Sequence, residues 1–141
     1  MEKELLNTFD KELLLKDLCA RLPYGVKMNH IADNEHSPKT LIGVAKNMIT
    51  LEGLGGYECV DIEDYKPYLF PLSSMTEEQK YTCPIGVANL EAFIKNESWT
   101  YLELSPDSIL SFIDWLNTNP FDYRGLIPKG LAIDATELNI Y

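Results

Sequence analysis

Leu14, Leu15, Leu18, Cys19 and Leu22 fall on one stripe when each residue turns the chain by about 100°. Glu12, Lys16, Asp17 and Ala20 lie away from that stripe, and Arg21 lies at its edge. The pattern predicts a helix over about 11–22 with Asp10 as its N-cap. Leu5, Leu6, Phe9 and Leu13 point elsewhere, which implies a separate turn or a kink before residue 10. Pro23 ends the helix by pushing residue 22 out of the helical region, and Gly25 permits a sharp change of direction.

Beyond Gly25 the period changes to two. Val26, Met28 and His30 alternate with Lys27 and Asn29, as in a half-buried strand. Asp33 to Pro38 reads as a loop. Strands are expected over 40–45, 48–51 and 57–62, with turns at Lys46-Asn47 and at Gly53-Leu54-Gly55-Gly56. These elements predict a four-stranded antiparallel sheet, curled or closed into an SH3-like partial barrel, with the helix over one opening.

The second half is more helical. Pro67 and Pro71 bracket an extended connector over 66–71, and Ser74-Met75-Thr76-Glu77 has capping-box spacing for a short helix toward Lys80. Leu90, Phe93 and Ile94 share one side of a helix over about 87–96, and 99–104 has strand character. Ser105-Pro106-Asp107 starts another helix, whose stripe is Ile109, Phe112, Ile113 and Leu116 and whose stop is Asn119-Pro120. Residues 121–141 are expected to wrap the body. The whole reads as one α+β domain over 1–141: an N-terminal helix, a small curled sheet, C-terminal helices and a wrapping tail.

Composition narrows the function classes. A chain of 141 residues with 45% hydrophobic content supports one folded core. It has no apolar run of the roughly 18–20 residues that span a bilayer. Without a basic start and long apolar stretch at the N-terminus, a cytosolic protein is expected and no membrane partner. Cys19, Cys59 and Cys83 form no CxxC pair and read as reduced, mostly buried thiols. The net charge is −10, and residues 47–141 hold the whole excess. Such a surface repels phosphate backbones, so nucleic acid is not an expected partner; it can attract a basic partner or imitate nucleic acid, and its commonest meaning is solubility.

Candidate chemistry is sparse. The glycines at 53, 55 and 56 lack the following Lys-Ser/Thr of a phosphate loop and suit a hairpin turn. His30 and His36 do not match a zinc spacing, and Asp33, Asn34 and Glu35 lack the remaining ligands of a calcium loop. There is no GxSxG elbow, and Glu58, Asp61, Glu63 and Asp64 read as a solvated acidic face. No metal, cofactor or catalytic residue is assigned.

The two arginines of the chain each sit beside a tyrosine and a glycine, in Arg21-Leu22-Pro23-Tyr24-Gly25 and Tyr123-Arg124-Gly125. A guanidinium stacked on a phenol suits a planar or phosphorylated ligand, and equally suits a helix-end cation beside a buried ring. Trp115 falls off its helix stripe, near Ser108 and Ser111; either the tail packs over it or it faces a ligand. The ligand-binding candidates are therefore Arg21, Tyr24, Lys27, Trp115, Tyr123 and Arg124.

Three segments, LLKDLCARLPYGVK at 14–27, KPYLFPLSSMTEE at 66–78 and FDYRGLI at 121–127, resemble a family of small uncharacterised proteins of Bacteroidota phages and prophages. The resemblance carries over no catalytic or binding residue. It implies a setting: an accessory protein in the bacterial host cytoplasm that binds something the host needs. The expected partner is a nucleotide-derived signal held as by a sponge, or a host protein engaged by the acidic surface, in either case compatible with a homo-oligomer. A small enzyme with an unrecognised site is the remaining alternative.

Overall fold

Asn7, rather than Asp10, opens the first helix: its side-chain oxygen accepts the Asp10 N–H at 2.8 Å. In the computed structural model, which describes residues 6–95 and 104–141, helix α1 (Thr8–Arg21) runs without a break through residue 10. Phe9 simply faces solvent. The buried face of α1 is Leu14, Asp17, Leu18 and Arg21, so the apolar stripe continues into a polar pair one turn apart. Pro23 sits in a single 3-10 turn, Leu22–Tyr24, and Gly25 leaves it with φ 70°, in the left-handed region that glycine adopts at little cost.

Strands β1 (Lys27–His30), β2 (Lys39–Val44), β3 (Met48–Gly53) and β4 (Gly56–Asp61) form the expected antiparallel run. Val26 and Met28 point inward as the alternation predicts. His30 does not: it is exposed, and Asn29 is buried instead, donating its side-chain N–H to the Asp33 carbonyl at 2.8 Å. A local side-chain bond to the next loop has overridden the period-two pattern. A bulge between Leu41 and Gly43 bends β2 against β3.

The sheet extends past this run. The segment expected to be a connector is β5 (Tyr65–Pro71), and Tyr65, Pro67, Tyr68 and Leu69 are buried in it. It pairs antiparallel with β1 from His30↔Tyr65 to Met28↔Pro67, then parallel with β7 (Ile133–Asp134) and β6 (Phe121–Asp122). Pro67, which has no N–H to donate, stands at the last pair of the β1 ladder, where the partner changes. The strand order is β4-β3-β2-β1-β5-β6, with β7 also on β5. The result is α+β: an N-terminal helix, a curled mixed sheet and later helices.

Those helices are α2 (Glu77–Tyr81), α3 (Val87–Ile94) and α4 (Pro106–Thr118). The capping box on α2 is Thr76 with Gln79, two residues later than expected, because Ser74 donates to the Pro71 carbonyl and closes a turn of its own. Ser105 caps α4 as predicted, with Pro106 in the first turn. The buried face of α4 is rotated from the expected stripe: Phe112 and Leu116 are buried with Asn117, whereas Ile109 and Ile113 are exposed. Most of the strand expected over 99–104, and the end of the helix expected at 96, lie outside the described residues.

Two apolar clusters result. One, including Leu14, Leu18, Met28, Leu51 and Leu69, lies between α1 and the sheet; the other joins Leu90, Phe112, Leu116 and Phe121. Each fully buried Leu here contributes about 1.5–3 kcal/mol. The tail reaches both: Phe121 belongs to the second cluster, and Leu126, Leu131 and Ala132 to the first.

Candidate functional site

The last turn of α1 sets Asp17 and Arg21 on one face, and the arginine grips the carboxylate with two nitrogens, Nε to Oδ2 at 2.8 Å and Nη2 to Oδ1 at 3.2 Å. Nη2 also donates to the Phe121 carbonyl at 2.6 Å, and Nη1 reaches the Leu116 carbonyl at 3.5 Å. One guanidinium thus completes the end of α4 and the start of β6 from α1. The second arginine joins the same carboxylate, with Arg124 Nε 3.4 Å from Asp17 Oδ1.

Between them lies Tyr123. Both guanidinium carbons are 5.1 Å from its ring centroid, and its hydroxyl donates to Asn117 Oδ1 at 2.8 Å. The two Tyr/Arg/Gly segments therefore meet in space. Their meeting is internal: Arg21 is 0% exposed, and its donors are directed at Asp17 and two backbone carbonyls. Burial pushes the Asp17 carboxyl up, against the downward pull of Arg21 and Arg124. Asp122 adds a further carboxylate nearby, itself accepting the Leu126 and Ile127 N–H groups at 2.9 Å. Two guanidiniums thus face two carboxylates, which leaves little surplus charge for a phosphate.

The other candidates are also engaged. Trp115 lies between Phe112 and Phe121 and donates Nε1–H to Thr82 Oγ1 at 3.0 Å. Its cover is thus the first residue of the tail together with the end of α2. The Lys27 N–H donates to the Tyr141 hydroxyl at 3.0 Å, and its ammonium reaches Thr40 Oγ1 at 3.4 Å. Tyr24 is 40% exposed and donates to Asp114 Oδ1 at 3.1 Å. Within the expected ligand-contacting set, Arg21 is completely buried, while Trp115 is half-buried in an aromatic stack. Tyr24 and Arg124, 30% exposed along its side chain, retain solvent-facing surface.

The thiols depart from expectation as well: Cys83 is buried, but Cys19 and Cys59 are exposed. Among the described residues no group of three or more His, Cys, Asp or Glu is placed to hold a metal ion, and no helix is long and apolar enough to cross a membrane.

An unpaired edge lies at the other end of the sheet. β4 is an edge strand, paired residue by residue with β3 from Gly53↔Gly56 to Met48↔Asp61 and with nothing on its other side among the described residues. The Ile62 N–H bonds to the Asn47 carbonyl at 3.1 Å at the base of this ladder, which sets its parity. In antiparallel pairing, Gly56, Glu58 and Val60 then turn their main-chain groups to β3, and Tyr57, Cys59 and Asp61 turn theirs outward. Natural edges are commonly blunted by lysine, proline or a bulge. β4 has no lysine or proline, and the bulge lies in β2.

Charge and exposure around the edge are of one kind. Glu52, Glu58, Asp61, Glu63 and Asp64 are the charged residues between 47 and 65, with no lysine or arginine among them. Lys39 contacts Glu58 and holds its carboxyl below the usual range, while Lys11 pairs with Glu63 at 3.2 Å. Tyr57 is 73% exposed, Met48 is exposed at the far end of the same face, opposite Asp61, and Leu54 at the turn is fully exposed. The acids were visible in the sequence as a solvated face. Their attachment to an unpaired edge was not, because strand order does not follow from periodicity. Comparison of the chain with protein-family models, curated proteins and solved structures finds no match.

Proposed function

We propose that this chain is a non-catalytic binding protein, of the accessory kind that the phage resemblance implies, and that it engages a partner protein by accepting an extended basic segment along β4. The observation that carries this reading is the free edge itself: outward main-chain groups at Tyr57, Cys59 and Asp61, flanked by carboxylates and unblunted by lysine or proline. Strand addition supplies main-chain hydrogen bonds, and alternate side chains of the incoming segment meet Tyr57, Cys59 and Asp61 on one face. Charge selects the occupant. With a net charge of −10, a second copy is repelled, whereas a lysine- or arginine-bearing strand is attracted. A nucleotide-type ligand gripped by Arg21, Tyr24, Lys27, Tyr123 and Arg124 draws less support, since Arg21 offers no surface to it.

The test is fluorescence anisotropy with a labelled peptide of alternating lysine and valine, set against its glutamate-valine counterpart. The lysine peptide is expected to bind, the glutamate peptide is not, and affinity should fall about tenfold as salt rises from roughly 0.05 to 0.5 M. Cys59→Pro removes an outward N–H without breaking the β3 ladder and should abolish binding. Equal binding of the two peptides, or full binding by Cys59→Pro, would contradict the proposal.

A further inference from the structure

A second surface is independent of the sheet edge. Where β5 and β7 end, a cleft of about 600 Å³ is lined by His36, Pro71, Ser73, Ser74, Ile133, Asp134, Thr136, Glu137 and Leu138. Its position has a topological cause. β5 runs antiparallel to β1 and then parallel to β6 and β7, so the chain diverges beyond the carboxyl ends of its parallel strands. The volume is that of a small-molecule site.

One wall is built with unusual care. His36 is the sole described non-glycine residue with a left-handed backbone, at φ 57°. That conformation is uncommon for a residue with a side chain, and needs surrounding contacts to hold it. Here Asp33 accepts the Glu35 and Ser37 N–H groups on either side of it, at 2.9 and 3.0 Å. From beneath, the buried Tyr68 hydroxyl meets His36 Nδ1 at 2.8 Å. Burial holds the Tyr68 phenol in its protonated form, with its pKa pushed up to about 12. Either the phenol or the imidazole can be the donor in this contact, which occupies one ring nitrogen. The other ring nitrogen, Nε2, makes no hydrogen bond to a described residue.

The opposite wall accepts. Asp134 and Glu137 supply carboxylates, with Asp134 Oδ1 already receiving the Thr136 N–H and hydroxyl at 2.9 and 2.5 Å. Ser74 donates to the Pro71 carbonyl, which leaves its oxygen as an acceptor. No lysine or arginine lines the cleft, so an anion has no counter-charge there. An ammonium would satisfy the carboxylates but can only donate, whereas the imidazole calls for a partner that can donate or accept. A hydroxyl does both, donating to a carboxylate and pairing with the imidazole whichever ring nitrogen carries the proton. Pro71, Ile133 and Leu138 supply apolar surface for the carbon face of a ring.

We infer that this cleft is a binding site for an uncharged ring bearing a vicinal diol, as found in a sugar or in the ribose of a nucleoside, with His36 and Glu137 as its two polar anchors. The test is NMR titration of the full chain with ribose, glucose, adenosine, 2′-deoxyadenosine and adenosine monophosphate. Ribose or glucose binding alone assigns the site to sugars; adenosine binding above ribose assigns it to nucleosides. In both cases the His36, Ser73 and Thr136 signals shift saturably, and Glu137→Gln weakens binding about tenfold through loss of a charge-assisted hydrogen bond. His36→Asn keeps a residue tolerant of the left-handed backbone while removing the imidazole, and is expected to weaken binding with the fold intact. The inference is overturned if no sugar or nucleoside shifts these signals up to about 20 mM. It is equally overturned if 2′-deoxyadenosine binds as well as adenosine, or adenosine monophosphate binds more tightly than adenosine.

Discussion

Arg21 makes more polar contacts than any other side chain described, and each is to the protein's own interior. Replacing it removes one partner of a buried ion pair and strands the other, together with two helix-end and strand-start carbonyls. Arg21→Met should therefore cost about 3–5 kcal/mol of stability in urea unfolding, well beyond a surface change. The companion Arg124→Met, at a partly exposed and weaker contact of 3.4 Å, should cost less. Tyrosines give a second residue-scale outcome. Tyr68 and Tyr141 have folded pKa values near about 12, both through burial, against an ordinary 10.0. Tyr141 is held by its hydroxyl, which donates to the Tyr68 carbonyl at 2.8 Å and accepts the Lys27 N–H. Because the folded values are raised, this stability is fully present below pH 10 and is lost as pH rises from 10 toward 12. Phenolate absorbance should accordingly lag in the folded protein, and Tyr68→Phe with Tyr141→Phe should flatten the alkaline fall in melting temperature.

At the scale of elements, local chemistry decided what periodicity could find. The Ser105-Pro106 start of α4 and the turns around Gly53 to Gly56 were legible because caps and tight turns are set by the residues that form them. Ser105→Ala should lower stability by about 1 kcal/mol, measured by thermal unfolding. β5 was not legible. Two prolines argue against a central strand, but the parity set by the Ile31 N–H to Asp64 carbonyl bond turns the Pro67 nitrogen away from β1, so its missing N–H costs that ladder nothing. The start of α1 slipped for a similar reason, since Asn7 and Asp10 are both good caps and the chain uses the earlier one. On α4, a helical stripe was correctly periodic but only half used: burial follows the neighbours Trp115 and Phe121, which periodicity does not know.

For the whole molecule, the arginine segments do converge, and the convergence joins two apolar clusters. Arg21 lies on α1, which packs on the first cluster, and bonds to the carbonyls of Leu116 and Phe121, both members of the second. The sequence put these six residues under suspicion by type; it could not distinguish an internal clamp from an external one, because burial depends on what α4 and β6 cover. The surface proposed for a partner protein is acidic and lies on the free edge of the sheet. The most direct measurement of that account is amide hydrogen exchange along β4, with and without the alternating lysine-valine peptide. The amides of Tyr57, Cys59 and Asp61 should exchange quickly alone and become protected when the peptide binds, while Glu58 and Val60, bonded to β3, are protected throughout. Protection that leaves those three amides unchanged, or that spreads to α1 and Tyr123 instead, would contradict it.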